Sequence, residues 1–339
     1  MSRRFAAAAA LVVATLVAAP AAAGDGPMPG LIQGGAGVVT PDGVTRFVAV
    51  GLGTETALET IATDGGAVQN LIDIPGSWGV PVATYSTGTG EGLTPDGRML
   101  VLGAMPTSYP QTRSGFLLFD TKTMRIPRSF TLEGDFAYDA ISPDARRLYL
   151  IQHVDATNTQ RYVVRAYDLE AGRLLPGRIA DRTQKSWIMQ GYPMARTTSA
   201  GGRWVYTLYQ NPGGYPFVHA LDTVRGVAHC VGLPWHGSQN GFYNLRLSLR
   251  DHDRSLAVHW LSGRPWLTVD TRTWAVAADR RAGLPWLAIG SGGAAVLLGG
   301  AALLLARRRR RRAAALEQGL AELLRTDSEK RGTQTVPAA

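Results

Sequence analysis

The chain has 339 residues, 45% of them hydrophobic, one cysteine and a formal net charge of +9. That length buries a full core without covalent staples, and a single cysteine excludes an intramolecular disulfide framework. The charge is no nucleic-acid footprint: residues 24–283 hold 24 Lys+Arg against 22 Asp+Glu, and the excess sits at the two ends.

Residues 1–23 read as a cleaved signal peptide. Arg3 and Arg4 precede an apolar run over 6–19, which is too short to cross a bilayer. Ala21-Ala22-Ala23 before Gly24 is a small-residue cleavage pattern, so the mature chain is expected to begin at Gly24.

The middle of the chain, 24–283, repeats. Thr40-Pro41-Asp42-Gly43, Thr94-Pro95-Asp96-Gly97 and Ser142-Pro143-Asp144-Ala145 are copies of one turn motif. Ser199-Ala200-Gly201-Gly202 is a degraded copy, and Ser248-Leu249-Arg250-Asp251 is taken as the fifth. Proline presets φ for the first central turn position, and a strand-like apolar run follows each copy. A second marker keeps the same beat: Asp120-Thr121, Asp168-Leu169, Asp222-Thr223 and Asp270-Thr271, with Asp64 as the first-repeat equivalent. Each unit thus reads as a four-stranded antiparallel blade, and blades bury both faces only when packed radially. The expected fold is all-β, a β-propeller of about five blades, with six as the fallback.

The S/T-P-D-G turn with its apolar strand, followed by D-T/L, resembles the YVTN-type and TolB-like propeller repeats of bacterial exported proteins. The resemblance covers about 240 residues and implies a fold rather than an activity.

Residues 284–306 are 23 residues without a charge, enough for a ~30 Å hydrocarbon core, with Trp286 at the start. Arg307 to Arg312 follow and are expected to stay cytoplasmic. This segment is read as a single-pass transmembrane helix. Ser291, Ala295 and Gly299 place small residues on one face of it. Residues 307–339 form a basic cytoplasmic tail in which Leu316, Leu320, Leu323 and Leu324 mark a short amphipathic helix.

No nucleophile elbow precedes the span and no phosphate-binding loop occurs; Gly88-Thr89-Gly90-Glu91-Gly92 reads as a flexible lead-in to an inner strand. Six histidines lack helical metal spacing, so no metal site is expected, nor any cofactor. Asp251-His252-Asp253 reads as a solvated turn, and Cys230, within an apolar run, as an inert thiol. The suggestive pattern is aromatic. Loops expected on one propeller face carry Trp78, Tyr85, Tyr109, Phe136, Tyr138, Trp187, Tyr192, Tyr215, Trp235 and Tyr243. Rings and a few polar groups on a rigid scaffold make a binding pocket; the same rings also serve as plugs between blades.

The expected protein is therefore a membrane-anchored cell-surface propeller that binds a ligand, either a protein or a carbohydrate, or joins a membrane complex. The alternative is a hydrolase or lyase acting on cell-wall carbohydrate. That chemistry needs two converging carboxylates, with Glu91, Asp135, Asp139 and Asp155 as the pool.

Overall fold

The S/T-P-D-G motif builds one turn wherever it recurs. The hydroxyl of Thr40, Thr94 or Ser142 donates to the aspartate two residues on, and accepts the backbone N–H of Thr45, Met99 or Arg147. The carboxylate accepts the N–H of Val44, Arg98 or Arg146. The fourth position takes positive φ, +74° at Gly43 and +70° at Gly97, which glycine adopts without a Cβ clash.

The second marker is a companion turn. Asp120, Asp168, Asp222 and Asp270 each accept two backbone N–H groups just downstream. The threonine after three of them donates to the carbonyl at the fourth position of the first turn: Thr121 to Gly97, Thr223 to Gly202 and Thr271 to Asp253. The two markers keep phase because they are hydrogen-bonded to each other.

That bond also corrects two alignments. In the fifth repeat Arg250 pairs with Ser255, so the turn is Arg250 to Asp253 and not 248–251. In the first repeat Thr63 occupies the threonine slot, bonded to Gly43 O, so the aspartate slot is Ala62; Asp64 lies two residues further on.

In the computed structural model, residues 30–279 are described, apart from 86–89, 182, 184–187, 212–213 and 238. They lie in a unit Met1–Asp279; Arg280–Ala339 form a second unit. The expected signal peptide, span and tail fall outside the described residues. Among the described residues no helix is long and apolar enough to cross a membrane.

Five antiparallel sheets follow one another along the chain. A short strand β1 (Gly30–Ile32) precedes them. The first blade is β2 (Val38–Val39), β3 (Thr45–Gly51), β4 (Glu55–Ala62) and β5 (Val68–Pro75). The second is β6 (Trp78–Val82), β7 (Met99–Ala104), β8 (Arg113–Asp120) and β9 (Arg125–Glu133). The third is β10 (Phe136–Ile141), β11 (Arg147–His153), β12 (Arg161–Asp168) and β13 (Arg173–Leu174), with β14 (Met189–Gln190) paired to β12. The fourth is β15 (Tyr192–Thr198), β16 (Trp204–Gln210), β17 (Phe217–Asp222) and β18 (Val227–Gly232). A 3-10 turn, Gln239–Asn244, leads into the fifth: β19 (Leu245–Arg250), β20 (Ser255–Trp260), β21 (Pro265–Asp270) and β22 (Val276–Ala278).

Apolar side chains alternate along these strands and fill the layers between consecutive blades. Phe47, Leu58, Leu100 and Phe119 join the first to the second; Phe116, Tyr138 and Leu150 join the second to the third. Tyr149, Tyr162 and Tyr209 join the third to the fourth, and Met194, Tyr206, Leu247 and Val258 join the fourth to the fifth. This is the layered architecture of a β-propeller with five blades. The marker turns lie on one face, the turn face. The second-to-third-strand loops and the blade-to-blade connections lie on the other, the loop face.

Two segments depart from the repeat. β1 adds to the inner edge of β6, Gly30 opposite Val82, and Leu31 sits where a Cβ on Gly103 would come within 2.6 Å of it. After Val82 the chain leaves β6. Tyr85 N donates to Pro193 O of the fourth blade at 3.0 Å, and Gly90 N to Gly37 O of the first at 3.0 Å. Glu91 N then returns to Pro81 O at 2.7 Å. Gly90 and Glu91, the described part of the glycine-rich segment, thus lead the chain back from the first blade to β6.

Candidate functional site

The inner strands carry a buried ion cluster. Arg196 on β15 is 5% exposed; its Nη1 donates to Glu91 Oε2 at 2.9 Å and its Nη2 to Asp139 Oδ1. Nε donates to Thr207 Oγ1 of its own blade at 2.9 Å. Burial raises the Glu91 carboxyl, against the pull of Arg196. Glu91, Asp139 and Arg196 border a cavity of about 450 Å³ near the turn face, with Pro41, Pro95 and Ser199 also on its wall. Two of the four candidate acids therefore do converge, but onto one guanidinium that ties three blades together. Asp155 bonds Arg161 at 3.1 Å and the loop N–H groups of Thr157 and Asn158.

A second cavity, of about 250 Å³, lies between the second and third blades at the loop face. Leu31, Ala104, Pro106, Phe116, Phe136 and Tyr138 give it a mainly apolar wall. Tyr109 is on its rim, 68% exposed. Partial burial raises the Tyr109 hydroxyl, with the Asp135 carboxylate adding to the shift. At one side stand Asp135 and His153, both side chains 7% exposed, with His153 Nδ1 3.1 Å from Asp135 Oδ2.

The backbone explains this meeting. Phe136 pairs with Gln152 across the β10–β11 hairpin, so the residues just outside that pair face each other, and His153 N donates to Asp135 O at 3.0 Å. Gln111 Nε2 donates to the other carboxylate oxygen at 3.3 Å. His153 Nε2 is buried with no hydrogen-bond partner among the described residues. Leaving such a nitrogen unpaired costs about 1–3 kcal/mol, and exceptions of this kind call for a reason. The Nδ1–Oδ2 contact lacks hydrogen-bond alignment, so Nδ1 and Oδ2 are unpartnered as well. In the neutral tautomer that carries its hydrogen on Nδ1, Nε2 is an acceptor.

The ten rings expected at a common site divide into groups. Tyr109, Phe136 and Tyr138 line the second cavity. Tyr85 and Tyr192 meet edge to face at 5.6 Å, and Gln160 donates to the Tyr192 hydroxyl. Trp235 packs on Phe242 at 4.3 Å and on Trp266 at 5.2 Å, a plug between the fourth and fifth blades. Trp78 donates to Pro75 O at 2.7 Å and packs against the first two blades. Tyr215 and Tyr243 are exposed, and Trp187 lies outside the described residues. Sequence reasoning passed over His153 as one of six scattered histidines. The turn Ser142-Pro143-Asp144-Ala145 by itself would set residue 136 across from residue 153; a bulge at Asp139 shifts the register by one and brings Asp135 there instead.

The other polar groups of note are closed off. Cys230 Sγ lies 3.5 Å from His219 Nδ1. Burial pushes the thiol up to about 12 and the imidazole down to about 4. Among the described residues no cluster of three or more His, Cys, Asp or Glu has the placement to hold a metal.

No family model matches the chain, and no curated protein sequence matches it. Solved structures to which it is similar include TolB from Acinetobacter baumannii (14% identity, TM-score 0.39, 73% of this chain and 56% of that one). Another is the Cps50 (Swd1) β-propeller domain of Myceliophteria thermophila (10% identity, TM-score 0.40, 74% and 70%). A third is Kuenenia stuttgartiensis hydrazine synthase (15% identity, TM-score 0.37, 72% and 77%).

Proposed function

We propose that the protein is a single-pass cell-surface binding module. Its signal peptide is removed after Ala23, the propeller lies outside the cytoplasm, residues 284–306 span the membrane, and the arginine-rich tail is inside. The export-type residues 1–23 and the uncharged run followed by six arginines support this topology.

The propeller binds a small ligand in the cavity between its second and third blades. The observation that carries this reading is the buried Asp135–His153 pair, whose Nε2 is unpartnered beside an apolar wall. A ring nitrogen without a partner in apolar surroundings, an acceptor when Nδ1 carries the hydrogen, selects an apolar body bearing one hydroxyl or N–H. Nε2 is covered in the free protein, so a wall side chain must yield on binding; Tyr109 is the most exposed of them.

The test uses the full chain in detergent with two probes that differ only in the donor, 2-naphthol and 2-methoxynaphthalene. Calorimetry is expected to show 2-naphthol binding about ten-fold more tightly, the worth of one hydrogen bond. His153→Phe removes the preference. Equal affinity of both probes, or a preference that survives His153→Phe, overturns the assignment.

A further inference from the structure

The two faces of the propeller differ in a regular way. On the loop face, every second-to-third-strand loop presents a large apolar side chain to solvent. These are Leu52, Tyr109, Val154, Tyr215 and Leu261, one per blade, all 41–68% exposed. Tyr243, in the connection from the fourth blade to the fifth, is 53% exposed on the same face. The turn face carries exposed charge on every blade: Asp42 and Asp64, Asp96 and Lys122, Asp144 and Glu170, Arg225, Asp251 and Arg272; the loop face carries Glu55, Arg113, Glu133, Arg161 and Arg264 beside its apolar tips. The turns of the turn face expose Val44 and Val224, and Val39, Val68 and Ile126 are exposed at the strand ends beside them, with no ring and no leucine among these.

The chain also leaves the propeller on the loop-face side. β22 pairs antiparallel with β21, so it ends beside the start of β21, which follows the fifth loop. Asp279 N donates to Trp266 O at 3.1 Å there, and Arg250 Nη1 holds the Asp279 carboxylate at 2.8 Å. The uncharged segment begins five residues later, at Leu284. Five extended residues reach at most about 17 Å.

We infer that the loop face lies on the outer surface of the bilayer, with the five loop tips and Tyr243 seated among the lipid headgroups. The inference rests on the reading of 284–306 as a membrane span. Tyrosine rings with a polar tip suit the headgroup layer, and leucine and valine extend into the acyl boundary. Arg264 in the fifth loop, its guanidinium 5.0 Å from the Trp260 ring centre, sits where a lipid phosphate would meet it. A reach of about 17 Å is shorter than a blade strand of eight residues, about 26 Å, and so favours the face from which the chain leaves.

The test uses the full chain in phosphatidylcholine nanodiscs, in a Cys230→Ser background, with nitroxide labels at Tyr215→Cys, Leu261→Cys or Val224→Cys. The loop labels are expected to collide with a water-soluble nickel chelate at least five-fold less often than the Val224→Cys label, and more often with oxygen. Loop labels as open to the chelate as the turn-face label, in a chain that co-purifies with the discs, overturn the docking and leave the anchor standing. A chain that fails to enter the discs overturns the anchor, and the docking with it.

Discussion

His219 shows how a single buried residue writes a pH dependence into the fold. Its ring is 1% exposed, edge-on to Tyr209, with Nε2 unpartnered among the described residues. Burial holds its folded pKa at about 4, against 6.5 for a free side chain. The unfolded chain therefore binds the extra proton between those values, and stability falls as pH drops from 6.5 toward 4. The difference corresponds to on the order of 3 kcal/mol at full development. His219→Phe is expected to flatten the loss of melting temperature between pH 6.5 and 4. A profile parallel to the wild type would show that His219 takes no part in it. Nothing in the sequence marked His219 apart from the other histidines, because its desolvation is set by packing against other strands and not by its neighbours in the chain.

At the scale of the element, the turn motif is chemistry the sequence states openly. Hydroxyl, carboxylate and left-handed fourth position are all local, so three copies are plain in the amino-acid string. The third copy breaks its own rule. Ala145 stands in the glycine slot at φ +52°, where an L side chain is strained. Ala145→Gly is expected to stabilise the protein by about 1 kcal/mol, read as a higher denaturation midpoint with unchanged slope. Loss of stability would mean that the Ala145 methyl group contributes more to the layer between the second and third blades than the strain costs. The fifth turn was placed two residues early because Asp251, His252 and Asp253 reach positive φ without glycine or proline. The β1 addition to β6 left no pattern at all, since three residues carry no period.

For the whole molecule, Arg196 is the test of how the blades are coupled. It gathers an acid from the second blade and one from the third onto the fourth. Arg196→Met leaves Glu91 and Asp139 facing each other without a counter-charge, at a cost of about 3–5 kcal/mol. Adding Glu91→Gln and Asp139→Asn is expected to recover much of that loss in chemical denaturation. No recovery would assign the effect to packing rather than charge. Arg196 stands 105 residues from Glu91, and no local pattern links them.

The sequence by itself determined the repeat and the strand order within each blade, because turn chemistry and alternation are properties of neighbouring residues; it pointed to five blades with six as the fallback, and the structure has five sheets. The placement of Asp135 opposite His153 was not within the sequence's reach, because the turn register points to residue 136 and a bulge at Asp139 moves it by one. Only the tertiary structure decided which rings line a cavity and which plug a gap between blades, that Tyr85 crosses to the fourth blade, and that the apolar loop tips share one face with the chain's exit. Those outcomes depend on distances between residues that no spacing rule connects.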